Sequence, residues 1–227
     1  MTVHGVTCII PAYNEGPRIA RVARVAASHP AITETIIVDD GSSDDTAAQV
    51  AAIPGVRLIR QPRNAGKTAA LARGLAQAQG SHTLLLDADL TGLTADHITA
   101  LITPVAQTRA AVSISLRGNA PAPWRLIGLD YISGERVLPR NLIAPHLDRL
   151  TSLPPFGFEV FLNALITRAA LPVAVVRWPD VASPLKHRKY GLWRGLRGDA
   201  GMIADMLRTH GPATLGRQII QMRRLRV

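Results

Sequence analysis

The chain has 227 residues, 47% of them hydrophobic and 19% charged, which suits one large globular domain or two small ones and excludes a disordered chain. No apolar stretch, Leu171–Val176 included, approaches the ~20 residues that cross a bilayer, and MTVHGVTC lacks the regions of a signal peptide, so a cytoplasmic protein is expected. The net charge of +10 is concentrated in residues 186–227, with 10 Lys and Arg against 2 Asp and Glu, while 4% aromatics and no nucleic-acid motif point away from nucleic acid.

In chain order, Val6–Ile10 reads as a strand, with the single cysteine, Cys8, as a structural thiol inside it. Pro17 suits the first turn of a helix running to about Ser28. Thr35–Val38 is a second strand. A helix over 45–52, capped by Ser43 or Asp44, precedes a third strand, Val56–Arg60. Lys67–Ala78 is alanine-rich and helical, with Gly80 at its stop. Thr83–Leu86 is the fourth strand, Thr94 caps a helix to about Gln107, and Ala111–Leu116 is the fifth. This βα alternation predicts an α/β fold with a mainly parallel sheet flanked by helices.

After Leu116 the pattern changes. GNAPAP (118–123) is a breaker-rich connection, followed by a helix from Trp124 and a turn at Ser133–Gly134. Helices are expected near Asn141–Leu150 and Glu159–Ala170, with a last strand at Val173–Trp178. Two helices follow Gly191, broken at Gly211–Pro212. In the second, Leu215, Ile219 and Met222 recur at helical spacing with Arg217 and Arg224 opposite. The basic segment is either a solvated face or one attracted to an anionic surface such as lipid headgroups.

The chemistry gathers at strand ends. Glu15 follows the first apolar run, Asp39 and Asp40 close the second, and Asp87 and Asp89 close the run ending in LLL. Parallel strands put their carboxyl ends on one edge, where open α/β sheets bind ligands. Asp87 and Asp89, two apart in extended chain, point the same way and suit Mg²⁺ or Mn²⁺. Asp39 has the chemistry to accept from a pyrimidine N–H. Lys67, preceded by Asn64-Ala65-Gly66 at a helix start, suits a diphosphate, although the spacing of an NTPase phosphate loop is missing. His187, beside Lys186, Arg188 and Lys189, is a solvated loop residue or a third metal ligand.

Segments 9–15, 38–46, 64–74 and 86–93 together resemble glycosyltransferase family 2, with its GT-A, Rossmann-like fold. Further on, DYISGER (130–136) resembles the D-x-x-S-G-x-R stretch of polyprenyl-phosphate sugar transferases. GFEV (157–160) and RKYG (188–191) resemble their later motifs. The resemblance implies a nucleotide-binding half, 1–116, an acceptor half, 117–190, and a basic helical segment, 191–227. It places Pro11, Ala12, Tyr13, Glu15 and Asp39 around the nucleotide, and Lys67 by the pyrophosphate. Asp87 and Asp89 hold the sugar nucleotide and metal, Asp89 directly. Ser133, Gly134 and Arg136 border the acceptor, Glu159 faces the sugar, and His187 or Arg188 reaches the diphosphate.

The implied reaction moves a sugar, with inversion, from a UDP- or GDP-sugar to a lipid or phosphorylated acceptor, at the inner face of a membrane through the basic tail. A hydroxyl acceptor needs a general base, for which Glu135, Asp130 and Glu159 are candidates; a phosphate acceptor needs none. Arg136 and Arg188 add charge-assisted hydrogen bonds to the departing diphosphate. Departures from the family pattern leave the acceptor open: Thr68 follows the lysine where glycine is common, and Glu135 stands where an aromatic is usual. A homodimer is also left open. A sugar-phosphate nucleotidyltransferase is the alternative, but IIPAYNE occupies the place of its glycine- and arginine-rich signature. The other is a nucleotide-binding protein without turnover, against which the intact acidic set argues.

Overall fold

The structure, a computed structural model, describes residues 3–154, 157–183 and 211–227. Five parallel-strand segments follow one another with helices between them. They are β1 (Val6–Ala12), β2 (Ile32–Asp39), β3 (Val56–Arg60), β4 (His82–Leu85) and β5 (Val112–Arg117). The helices between them are α1 (Gly16–Ala27), α2 (Thr46–Ala51), α3 (Lys67–Gln77) and α4 (Ala95–Ala106). Then come α5 (Ala122–Ile127), β6 (Arg136–Pro139), α6 (Arg140–Ile143), α7 (Leu147–Leu150), α8 (Gly157–Arg168), β7 (Val173–Trp178) and α9 (Pro212–Arg224).

The seven strands form one sheet in the order β3-β2-β1-β4-β6-β5-β7. Only β6 runs against its neighbours, pairing antiparallel with both β4 and β5. After β5 the chain stays at the carboxyl edge through α5 and the 128–135 turn, with no crossover to the far edge. The next strand must therefore run back down the sheet. Sequence reading misses β6, because RVLP is four residues long, carries an arginine and ends in proline.

Strand alternation splits the core between the two faces. Ile10, Ile37, Leu84 and Leu86 pack with Ile19, Val22, Ile98 and Leu101 of α1 and α4 on one face. Ile9, Leu85, Ile114 and Leu138 pack with Leu71 and Leu75 of α3 and Phe158 and Leu162 of α8 on the other. Each such side chain, fully buried, contributes roughly 1.5–3 kcal/mol. The helix expected over 141–150 is instead α6, a 3₁₀ turn at Ala144–His146 and α7, because Pro145 interrupts the amide ladder. The last helix begins where Gly211–Pro212 predicts. Its buried Leu215 and Met222 face inward, and after it Val227 N–H donates to the Val173 carbonyl at 3.1 Å. Among the described residues no helix is long and apolar enough to cross a membrane.

Candidate active site

The carboxyl ends of β1, β2 and β4 open on one cleft of about 310 Å³. Pro11, Ala12, Tyr13 and Glu15, from the end of β1 and the turn after it, line it together with Asp40, just past β2, and Asn64, Gly66 and Lys67, at the start of α3. Asp87, Ala88 and Asp89 close it from the end of β4. Both carboxylates of the D-A-D triplet line the same cleft, but β4 ends at Leu85 and the chain turns at Ala88–Asp89, so it is that turn and not the alternation of an extended strand that brings them together.

Lys67, the first residue of α3, is the electrostatic centre. Its Nζ lies 2.7 Å from Asp87 Oδ1 and 3.5 Å from Glu159 Oε1. Partial desolvation at the cleft edge would lower its pKa; Asp87 and Glu159, with Glu135 behind them, outweigh it and raise the pKa, so the ammonium, still partly open to solvent, stays charged. Glu159, near the start of α8, reaches the site through a narrow recess that also touches Ser133, Gly134 and Phe158. Gly134 is needed there: a Cβ on it would lie 2.7 Å from one Asp87 carboxylate oxygen and 2.8 Å from the other.

The DDGSSDDT segment shapes the wall more than it caps α2. Asn14 takes a left-handed φ of 54°, which asparagine tolerates. Its N–H donates to Ser42 Oγ at 2.9 Å, and its Oδ1 accepts from Ser43 N–H at 2.9 Å. Asp44 accepts from the Gly16 and Thr46 amides at 3.1 and 2.9 Å, and Thr46 Oγ1 accepts from Glu15 N–H at 2.8 Å. Asp45, not Ser43 or Asp44, occupies the N-cap position of α2. Glu15 pairs with Arg18 Nε at 2.5 Å while still lining the cleft.

Asp39 and Asp40 divide their work differently from the sequence expectation. Asp39 is fully buried, accepting from Ser42 N–H at 2.9 Å and meeting Arg60 Nε at 3.4 Å; it does not line the cleft. Asp40 does. Its carboxylate accepts from Ala65 N–H at 2.9 Å, Gly66 N–H at 2.8 Å and Gln61 Nε2 at 2.6 Å. It thus fixes the turn that delivers Lys67.

The candidate bases at 130 and 135 also sit elsewhere. Both are fully buried behind the Ser133–Gly134 turn and absent from the cleft lining. Glu135 Oε2 accepts from Ser115 Oγ at 2.7 Å and Ser133 Oγ at 3.0 Å, and Oε1 meets Arg117 Nη1 at 3.4 Å. Asp130 Oδ2 lies 3.9 Å from Arg117 Nη2. They are counter-ions of a buried arginine, whereas Glu159 lines the recess beside Lys67 and Asp87. Arg136 borders the recess, but its guanidinium is committed: Nε to the Ser133 carbonyl at 2.7 Å, Nη1 to Asn163 Oδ1 at 2.6 Å, Nη2 to the Tyr131 carbonyl at 2.9 Å. It braces the turn and is not directed at a diphosphate. His187 and Arg188 lie outside the described residues.

Asp40 is named in the sequence with Asp39 at the end of the second strand, but the base is expected at Asp39. Two contributors escape sequence reading altogether. Arg117 ends β5 on the same carboxyl edge that singled out the aspartates, and Glu135, Asp87, Asp130 and Asp89 together raise its pKa against the opposing effect of burial. Asn163 lies one helical turn after Glu159. The edge rule and the i, i+4 rule were the available signals for these two.

No cluster of three metal-ligating side chains occurs among the described residues. Two carboxylates on an open wall are nonetheless a fitting donor set for Mg²⁺ or Mn²⁺, which take one or two carboxylates and complete their shell with phosphate oxygens and water.

The chain is similar to known proteins. A dolichyl-phosphate beta-glucosyltransferase of Trichomonas vaginalis is 41% identical over 96 residues, 37% of this chain and 28% of that protein. An undecaprenyl-phosphate 4-deoxy-4-formamido-L-arabinose transferase of Sodalis glossinidius is 34% identical over 133 residues, 55% of this chain and 40% of that protein. The matched stretches thus span less than half of either curated relative. Among solved structures, glucosyl-3-phosphoglycerate synthase from Mycobacterium tuberculosis, in complex with Mn²⁺, UDP and glucosyl-3-phosphoglycerate, superposes with a TM-score of 0.71. It is 23% identical, over 95% of this chain and 80% of that one, and so shares the GT-A fold. The family model for glycosyl transferase family 2 matches residues 7–172, and the chain belongs to that family.

Proposed function

We propose that this protein transfers a sugar from a nucleoside diphosphate, UDP in preference to GDP, to a phosphate-bearing, lipid-linked acceptor. The observation that carries the reading is Lys67, paired with Asp87 at 2.7 Å and Glu159 at 3.5 Å, where the cleft lined by Asp40, Asp87 and Asp89 meets the recess lined by Glu159. Residues 1–116 form the donor half and 117–190 the acceptor half. Asp40, rather than Asp39, faces the base. Asp89, with Asp87, would hold Mg²⁺ or Mn²⁺, which neutralises charge on the leaving diphosphate when bound.

The costly event is departure of the diphosphate as positive charge builds at the anomeric carbon. Lys67 puts a fixed cation at that oxygen wall, already oriented by two carboxylates. Losing such a group costs about 3 kcal/mol, roughly a hundredfold in rate. With Asp130 and Glu135 shut behind the turn, an acceptor that arrives ionised suits the site, because a phosphate oxygen attacks without a base. Relatives named for dolichyl- and undecaprenyl-phosphate favour the same acceptor class.

Incubation with UDP- and GDP-hexoses, Mn²⁺ or Mg²⁺ and a polyprenyl phosphate tests this by release of nucleoside diphosphate. Asp89→Ala is expected to abolish release and metal-dependent nucleotide binding at an unchanged melting temperature, and Lys67→Ala to lower kcat about a hundredfold. Full turnover in Asp89→Ala would remove that residue from the site.

A further inference from the structure

We propose that the ridge formed by α5 and α9 docks on a bilayer surface carrying anionic lipid headgroups. The proposal rests on the lipid-linked acceptor reading and says which face meets the membrane. The two helices are joined at their edges: Trp124 and Ile219 pack against the same cluster of Tyr131, Val160 and Leu215, and Arg226, just past α9, donates from Nη1 to the Ile127 carbonyl at 3.3 Å. α5 leaves the carboxyl end of β5 and leads into the Ser133–Gly134 turn that lines the recess, so the ridge stands on the acceptor side of the cleft.

Its outward surface is unusual in two ways. Leu126 is 86% exposed and Ile220 54%, two of the few large apolar side chains open to solvent among the described residues. Exposed arginines neighbour both in the chain, Arg125 beside Leu126 and Arg217 and Arg224 about Ile220. On α9 the inner face is Leu215, Ile219 and Met222, and the opposite stripe, at i, i+3, i+4 and i+7, is Arg217, Ile220, Gln221 and Arg224. Ile220 thus lies between two arginines, about one turn from each. Arg125, Arg223 and Arg226 are exposed too, and neither 118–129 nor 212–227 contains an Asp or Glu.

A protein partner of ordinary kind calls for a continuous apolar patch with charges of both signs at its rim. Separate apolar anchors set among arginines, with no acid, match an interface where side chains enter the headgroup layer and guanidinium groups meet lipid phosphates. The arginine stems lie along the apolar boundary with their heads in the polar layer.

Flotation of the full chain with vesicles tests this. Recovery is expected with vesicles containing phosphatidylglycerol and not with phosphatidylcholine alone, and to fall in high salt. Arg217→Gln/Arg224→Gln should lower the partition coefficient roughly fivefold per charge. Leu126→Ser/Ile220→Ser should also lower it, each double variant keeping its melting temperature because the side chains are exposed. Equal recovery with both lipids, or wild-type recovery of both double variants, would overturn the proposal, the latter by showing that other basic residues carry the binding. Release of nucleoside diphosphate without vesicles separates the two readings. Turnover without flotation sinks the docking face alone; flotation with no turnover on any sugar nucleotide supports docking and sinks the transferase reading.

Discussion

Gly134 and Asp87 are in contact, and that contact sets how the carboxylate meets Lys67. An added methyl at Gly134 would stand within 3.0 Å of the Asp87 Cγ and both its oxygens. Because the obstruction is the end of a side chain, it relieves itself by swinging the carboxylate away from Lys67 Nζ. Gly134→Ala is therefore expected to cost less than about 1 kcal/mol of stability and about a hundredfold in turnover. Parallel thermal melts and initial rates check this, and wild-type rates would mean that the Asp87–Lys67 pair is not needed. At this scale the sequence is most legible where a rule acts along one segment. Asp87, Asp89 and Lys67 follow from strand-end position and a helix start, and all three meet in the cleft, although a turn at Ala88–Asp89 rather than i, i+2 parity aligns the two carboxylates. Asp39 and Asp40 show the limit. Neighbours at a strand end face opposite ways, and which one faces the ligand depends on where β2 stops and how the 61–66 turn wraps it. Neither is visible in one stretch of sequence. The depth of Asp130 and Glu135 is hidden for a like reason: it is set by Arg117, which arrives on another strand.

At the level of elements, the joint between β6 and α8 holds the acceptor side together. Arg136 opens β6 fully buried, and Asn163 from α8 answers it, accepting from Nη1 and donating Nδ2 to the Tyr131 carbonyl at 2.8 Å. A buried cation stripped of an acceptor bears its desolvation cost uncompensated. Asn163→Ala should thus destabilise the protein by about 2–4 kcal/mol, and Asn163→Asp, which restores the acceptor, should recover part of that. Urea unfolding with an unchanged slope is the measurement; a shift under 1 kcal/mol would mean that Arg136 finds another partner. This joint could not be read in advance, because β6 has no periodicity of its own. Its four residues, RVLP, are a strand only because β4 and β5 leave a slot between them. The strands before it were legible because each carries a run of apolar residues and a helix to return it, which is local information. The order of β6 and β5 in the sheet is not.

For the molecule as a whole, the buried charge knot makes stability depend on pH. Burial pushes the Asp130 carboxyl up from 3.8 to about 6, Arg117 and Arg136 pull it down, Glu135 pushes it up, and the Ile132 amide favours the ionised form. Between those two values the folded protein keeps a proton that the unfolded chain has lost. Stability from this group is therefore complete below pH 3.8 and declines as pH rises through about 6, by up to about 3 kcal/mol. Asp130→Asn removes the ionisation and with it the pH dependence, though it also weakens the contact to Arg117. The free-energy difference, variant minus wild type, should grow more favourable to the variant by up to about 3 kcal/mol as pH rises through that window, and be flat from about pH 7 upward. Urea midpoints for both proteins from pH 4.5 to 7.5 measure it. A constant difference across the range would show that Asp130 titrates as an ordinary carboxyl, and that the knot behind the Ser133–Gly134 turn is open to water. The turn would then have no rigid backing, and Gly134 would lose its fixed distance from Asp87, so the stability experiment bears directly on how the cleft keeps its shape.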